Sequence, residues 1–216
     1  GKILVPFSPE SALSGVSRQL QPDEYLWYRR SFILTGWAGR RAEGHRLIVH
    51  FGAADQACVV YVNGKKVVRH TGGYLPFEAD ITEAVQEGEN ELAAAVRDLS
   101  DTSYHARGKQ KLKRGGMFYT AQSGIWQTVW MEEVPKHYIR SVETETDPEK
   151  KMVRIRVDAG PGGDKAYGIK ISVRSPGIYD STDVSAEEAG ADKEILCDAE
   201  GRSREWIEIS LPEVKL

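Results

Sequence analysis

The chain has 216 residues, of which 40% are hydrophobic and 28% charged, and its formal net charge is −3. That length and apolar content support one or two folded domains and exclude an intrinsically disordered segment, while the near-neutral balance excludes a general polyanion binder, so no nucleic-acid partner is expected. No run of 18 apolar residues is present, which leaves no membrane-spanning helix and no membrane partner in the expectation.

Gly1 to Gly15 contains Pro6 and Pro9, which hold the segment extended and keep it out of a helix, so a surface loop is predicted. Tyr25 to Leu34, Y-L-W-Y-R-R-S-F-I-L, is aromatic and β-branched and reads as a strand with apolar mass on both faces, as a sandwich requires. A Gly/Arg-rich turn leads to a short buried strand, Arg46 to Phe51. Ala57 to Val62 and Lys66 to His70 flank Asn63-Gly64, a pair that tolerates the positive φ of a type I′ turn and predicts an antiparallel hairpin. In Thr71 to Phe77 paired glycines and a proline mark an irregular crossing. Asp80-Ile81-Thr82-Glu83 resembles a capping box and predicts one or two helical turns before Gly88. Glu91 to Asp98 is rich in alanine, yet Leu92, Ala94 and Val96 alternate, and a strand is expected.

Leu99 to Gly124 has neither helical nor strand periodicity and carries five Lys or Arg residues against one Asp. A loop of this length inside a folded domain usually carries function. Lys109, Lys111, Lys113 and Arg114 can be read as a solvated rim. They are also interleaved with Tyr104, His105, Arg107, Gln110, Phe118, Tyr119 and Gln122, a mixture of donors, acceptors and aromatic faces suited to a polyhydroxylated ligand. Ile125 to Glu132 then reads as one strand, in which Trp126 and Trp130 share a face and are expected to pack in the core against Trp27 or Phe32.

A break falls at Val134-Pro135-Lys136. Beyond it Val153, Ile155 and Val157, then Ile169, Ile171 and Val173, then Ile207, Ile209 and Leu211 alternate with polar residues, the pattern of a small antiparallel sandwich with one solvated face. The fold class expected is therefore all-β, in two domains, 1–134 and 135–216, the second immunoglobulin-like in pattern and short of strands. Cys58 and Cys197 show no ligand spacing and read as buried thiols, and the five histidines are scattered, so neither a metal nor another cofactor is expected. Glu10, Asp55, Asp98, Asp101 and Glu132 read as turn, cap or exposed-strand residues, and no G-x-S-x-G elbow occurs.

V-P-F-S-P-E-S-A-L-S-G at Val5 to Gly15, W-Y-R-R-S-F at Trp27 to Phe32, H-F-G-A at His50 to Ala53, V-N-G-K at Val62 to Lys65, G-G-Y-L-P-F-E-A-D-I-T at Gly72 to Thr82, G-E-N-E-L at Gly88 to Leu92, R-G-K-Q at Arg107 to Gln110 and S-G-I-W-Q-T-V-W at Ser123 to Trp130 stand in this order along the chain. Together they resemble the N-terminal part of glycoside hydrolase family 2, the family of β-galactosidases, β-glucuronidases and β-mannosidases. Tyr138 to Leu216 resembles that family's second domain in pattern and position.

The resemblance implies a galactose-binding-like jelly-roll sandwich followed by an immunoglobulin-like one, and then a TIM barrel holding the acid/base and nucleophile glutamates of a retaining mechanism. The chain opens with G-K-I-L-V-P and stops at Leu216 before a barrel could begin, so a non-catalytic fragment is expected, with a carbohydrate substrate, its own C-terminal barrel and a second copy of itself as partners. In the family, first-domain loops shape the sugar pocket. The positions here that match them put Glu10 forward as acceptor from a sugar hydroxyl, Lys109 and Gln110 as donors, and Arg107 as a steering or bracing residue. R-G-K-Q replaces the acidic, metal-associated loop of some β-galactosidases, which argues against a monovalent-cation site and against galactose as the sugar. A stand-alone carbohydrate-binding module and an oligomerisation segment are the alternatives. No charged start with an apolar core marks a leader, and the compartment stays open, with a cytoplasmic one slightly favoured.

Overall fold

Alternation of apolar and polar residues at a period of two dominates the strands, and pairing follows it closely. The computed structural model describes residues 1–159, 168–174, 195–202 and 204–211. The chain divides into two units, Gly1–Lys136 and His137–Leu216.

In the first unit the strands are β1 (Leu26–Leu34), β2 (Arg46–Phe51), β3 (Ala54–Asp55), β4 (Ala57–Val62), β5 (Lys65–Thr71), β6 (Phe77–Asp80), β7 (Gly88–Arg97), β8 (Gln110–Lys111), β9 (Tyr119–Thr120), β10 (Gly124–Ile125) and β11 (Val129–Val134). A four-stranded antiparallel sheet has the order β1-β7-β4-β5, and a three-stranded one the order β11-β2-β6. Their inner faces supply one core: Tyr28, Val60, Val62 and Val96 from the larger sheet, Val49 and Phe51 from the smaller, with Trp37 and Ile81 from the connections. This is a β-sandwich, as expected, but β1 buries only one of its two apolar faces: Tyr28 enters the core, whereas Trp27 and Ile33 are exposed. The hairpin at Asn63-Gly64 forms as predicted, with φ of 50° and 77° at its two central residues, and the alanine-rich β7 is a strand paired on both sides.

Four local expectations are corrected. Asp80 to Glu83 forms no helix: the Asp80 carboxylate accepts from the Thr82 amide at 3.0 Å, and the Thr82 hydroxyl accepts from the Leu47 amide, so the segment is a side-chain-closed turn tied to β2. Trp37–Ala42 is a short helix (α1) where a turn was expected. Its first amides are met by Glu87, which accepts from Gly36 and Ala38 at 2.6 and 3.1 Å, and Trp37 is only 1% exposed, so a partner some fifty residues away and a buried ring hold it. The expected single strand from Ile125 to Glu132 is split into β10 and β11. Trp126 turns out of line to donate its indole N–H to the Gly73 carbonyl at 2.8 Å and sits edge-on to Tyr74, while Trp130 stacks on His50 at 4.8 Å. Neither packs on Trp27 or Phe32. Finally, Leu99 to Gly124 is not structureless, as described below.

The second unit contains β12 (Ser141–Asp147), β13 (Met152–Asp158), β14 (Gly168–Arg174), β15 (Ile195–Arg202) and β16 (Trp206–Ser210), in sheets β12-β13-β16 and β14-β15. Val153, Ile155, Val157, Ile207 and Ile209 are buried together, with Ile169, Ile171 and Val173 packed against them, so the alternation read from the sequence faces one core. On the opposite face Arg154 and Arg156 lie over the Trp206 ring at 5.0 and 4.8 Å. Pro212 to Leu216 and the side chain of Cys197 lie outside the described residues, whereas Cys58 is a buried free thiol.

Gly124 of β10 pairs with Asp55 of β3 and lies against Tyr28 and Leu26 of β1. Its φ is +80°, and a Cβ there would fall onto the Tyr28 hydroxyl, which accepts from the Ile125 amide at 3.0 Å. Gly124→Ala therefore combines backbone strain with a clash and should cost about 2–4 kcal/mol, read as a lowered denaturant midpoint at unchanged m-value.

Candidate functional site

The long basic loop is folded by bonds that reach back to the N-terminal segment. Ser11 caps a 3-10 turn at Ala12–Ser14, whose Ser14 hydroxyl donates to the Ser11 carbonyl at 2.7 Å. This sets Glu10 between two distant stretches. Its Oε1 accepts from the Gln19 side chain (3.2 Å), the Leu20 amide (3.1 Å) and the Ser123 hydroxyl (2.7 Å), and its Oε2 accepts from the Ser123 amide (3.1 Å). A carboxylate offers about four lone-pair sites, and these four bonds occupy them.

Gln110 grips the neighbouring amide: its Oε1 accepts from Gln122 N–H at 2.7 Å. Around it β8 and β9 pair in parallel, the Tyr119 amide donates to the Lys109 carbonyl at 2.8 Å, and the Leu112 amide donates to the Asp101 carboxylate at 3.2 Å. Arg107 donates to the Ser103 carbonyl at 2.9 Å and so ties its own loop, and Lys111 lies over the Phe118 ring at 4.0 Å. Lys109 is exposed, and among the described residues its ammonium makes no hydrogen bond or ion pair. Glu10 and Gln110 are thus brought together on adjacent amides, 122 and 123, with Lys109 and Arg107 on the loop they anchor. What the structure adds is that Glu10, Gln110 and Arg107 each hold backbone as well as facing the loop.

Two acids expected at turns or exposed faces are instead buried here. Asp55 lies at the end of β3 with Gly73 close against its carboxylate, where no side chain would fit. Asp98 follows β7, and its carboxylate accepts from the Ser100 amide at 2.7 Å. Burial, reinforced by Asp98 and Glu10 nearby, pushes the Asp55 carboxyl up to about 7. Burial raises Asp98 as well, opposed by its bond from Ser100. The half-exposed Tyr74 is raised by burial and by both acids, which places that ring and its neighbour Trp126 beside them. Nothing local in A-A-D-Q-A or V-R-D-L-S distinguishes these acids from turn residues; only their convergence does. Among the described residues no group of three His, Cys, Asp or Glu side chains is placed to hold a metal ion.

Because the Asp55 pKa is raised in the folded chain, the neutral carboxyl suits the fold, and stability contributed by that neutrality is lost as pH rises from about 4 through about 7. Asp55→Asn should flatten this part of the pH–stability profile. It should match the wild type near pH 4 and exceed it above pH 7 by up to about 4 kcal/mol, the full equivalent of the displacement. Thermal unfolding measured between pH 4 and 8 reads the difference.

The family described as glycosyl hydrolases family 2, sugar binding domain, matches residues 17–135, just over half of the chain. A β-galactosidase of Thermoanaerobacter pseudethanolicus is 34% identical over 117 residues, which cover 54% of this chain and 14% of that protein. Human β-glucuronidase is 26% identical over 166 residues, covering 68% of this chain and 25% of that protein. Among solved structures, a β-glucuronidase of an uncultured Clostridium species superposes with a TM-score of 0.62 at 23% identity, covering 97% of this chain and 33% of that one, which supports the fold. The chain thus spans between 14% and 33% of the length of these relatives.

Proposed function

Because the chain belongs to glycosyl hydrolases family 2 and carries that family's sugar binding domain, we propose that it is the non-catalytic sugar-recognition region of a longer retaining β-glycosidase. A TIM barrel C-terminal to Leu216 supplies the two catalytic carboxyl groups, which a retaining enzyme holds about 5 Å apart. Its substrate is a β-linked glycoside, the class to which the names of its β-galactosidase and β-glucuronidase relatives point. The first unit is a jelly-roll sandwich and the second an immunoglobulin-like one, and both serve as scaffold for the barrel.

The observation that carries this reading is the family match together with the anchoring of the basic loop by Glu10 and Gln110. An exposed ammonium on an ordered loop is a preorganised donor, so little freedom is lost when it meets a hydroxyl. Lys109 donates to the sugar. Gln110, whose Oε1 is taken by Gln122, presents its amide N–H₂, and Arg107 braces the turn between them. Glu10, whose carboxylate already accepts four hydrogen bonds, holds the loop in place and contributes to the pocket by position.

Two measurements test this. Capture of the native polypeptide from its source cells with an antibody raised against this chain, followed by intact mass, should return a product several hundred residues longer; a product ending near Leu216 makes the chain a stand-alone carbohydrate-binding module instead. In the full-length enzyme Lys109→Ala should raise KM by about tenfold, the equivalent of one lost hydrogen bond to a charged group, with kcat nearly unchanged. Unaltered KM across several glycosides overturns the loop's role.

A further inference from the structure

The face of the four-stranded sheet turned away from the core holds aromatic rings in solvent. Register places Trp27 opposite Ala95 and Ala95 opposite Val59, and one row further Ala93 lies opposite Tyr61. Trp27 and Tyr61 therefore stand on strands flanking β7, about 9.6 Å apart by strand spacing. Their ring centroids are nevertheless only 6.0 Å apart, at 28°. The rings lean toward each other over the two alanines, and Ala95 is 6% exposed although it lies on the solvent side. Trp27 itself stays 58% exposed. So does Tyr25, two residues earlier on the same face, where the Arg97 guanidinium lies 5.5 Å from its ring. The core is filled from the other face, so packing does not account for rings held in this position.

Charge on this face is one-sided. Arg29, Arg97, Arg69 and Lys66 lie in the rows around the rings, Arg69 opposite Val59 and Lys66 opposite Tyr61. Glu91 and Glu89 are the acids on the same side of β7, and Glu91 pairs with Arg29 at 2.6 Å. Four cations less two acids leave +2 on this face of a chain whose net charge is −3. Among the described residues neither Arg69 nor Lys66 has an anionic partner.

We propose that this face binds an acidic glycan chain. Pyranose rings lie on the Trp27–Tyr61 platform through their C–H faces, and uronate carboxylates meet Arg69 and Lys66. The two halves of the face need different parts of one ligand, an apolar ring face and an anion beside it, and a polyuronate repeats both along its length. A second copy of the chain is disfavoured, because docking face to face sets +2 against +2. The site is separate from the loop around Lys109, and neither depends on the other.

Affinity electrophoresis of the 216-residue chain through gels containing polygalacturonate, its neutral methyl ester or oligo(dT) tests this. Retardation is expected with polygalacturonate alone, weakening as salt is raised, because exposed charges are screened beyond about 10 Å at 0.1 M. Trp27→Ala should weaken apparent affinity by about five- to tenfold, and Arg69→Glu, which removes no packing, should weaken it at least as much. Lys170→Ala, on β14 of the second unit, should retain it. Equal retardation by the methyl ester, stronger retardation by oligo(dT), loss of binding in Lys170→Ala, or unchanged affinity in Arg69→Glu each overturns the proposal. So does a concentration-dependent dimer abolished by Trp27→Ala.

Discussion

One carboxylate holds together the part of this molecule that has no regular sheet of its own. Glu10 takes hydrogen bonds from Gln19, Leu20 and Ser123, so a proline-bearing N-terminal segment, the approach to β1 and the end of a long basic loop share one acceptor. Removing an acceptor from several part-buried donors costs more than the bonds it made, because each donor is then left without water or a partner. The loop's other anchor, Gln110, works on the very next amide. Its order thus comes from two side chains rather than from a ladder.

Directly behind this junction the electrostatics reverse. Asp55 and Asp98 are buried close to Glu10, while Arg107, Lys109, Lys113 and Arg114 ring the loop outside. Desolvation favours a neutral Asp55 and so relieves part of the repulsion among the three acids. Tyr74 and Trp126 border the same spot, the indole fixed by its bond to the Gly73 carbonyl. Gly73 is needed there because any side chain would collide with the Asp55 carboxylate. Donors outside, acceptors within and aromatic rings at the edge are the components from which hydroxyl-rich ligands are recognised.

The sandwich gives the first unit two separate surfaces. Its core takes one face from each sheet, which leaves the outer face of β1-β7-β4-β5 outside that core. Small alanines on the central strand β7 permit the aromatic bridge from Trp27 to Tyr61, and they also explain why an alanine-rich segment can be a strand. Its neighbours on both sides supply the pairing that its own propensity does not.

Much of this was legible in the residues. A strand with a clean period of two, such as Met152 to Asp158, a short apolar run, such as Arg46 to Phe51, and the turn at Asn63-Gly64 depend on neighbours in sequence, and so did the family resemblance, which rests on short motifs in a set order. The helix at Trp37–Ala42 depends on Glu87, the turn at Asp80 on Leu47, and the break before β11 on a carbonyl at Gly73, none of them close in sequence. The candidate site divides in the same way: the loop and its Lys109 were marked by composition, while the burial of Asp55 and Asp98 and the anchoring by Glu10 were not. The sequence by itself determined strand alternation, the tight hairpin and the family, because those are set by local sterics and the side-chain period. Only the tertiary structure decided which acids lose their water and which loop becomes rigid, because desolvation and long-range hydrogen bonds exist only once the two sheets have closed on each other.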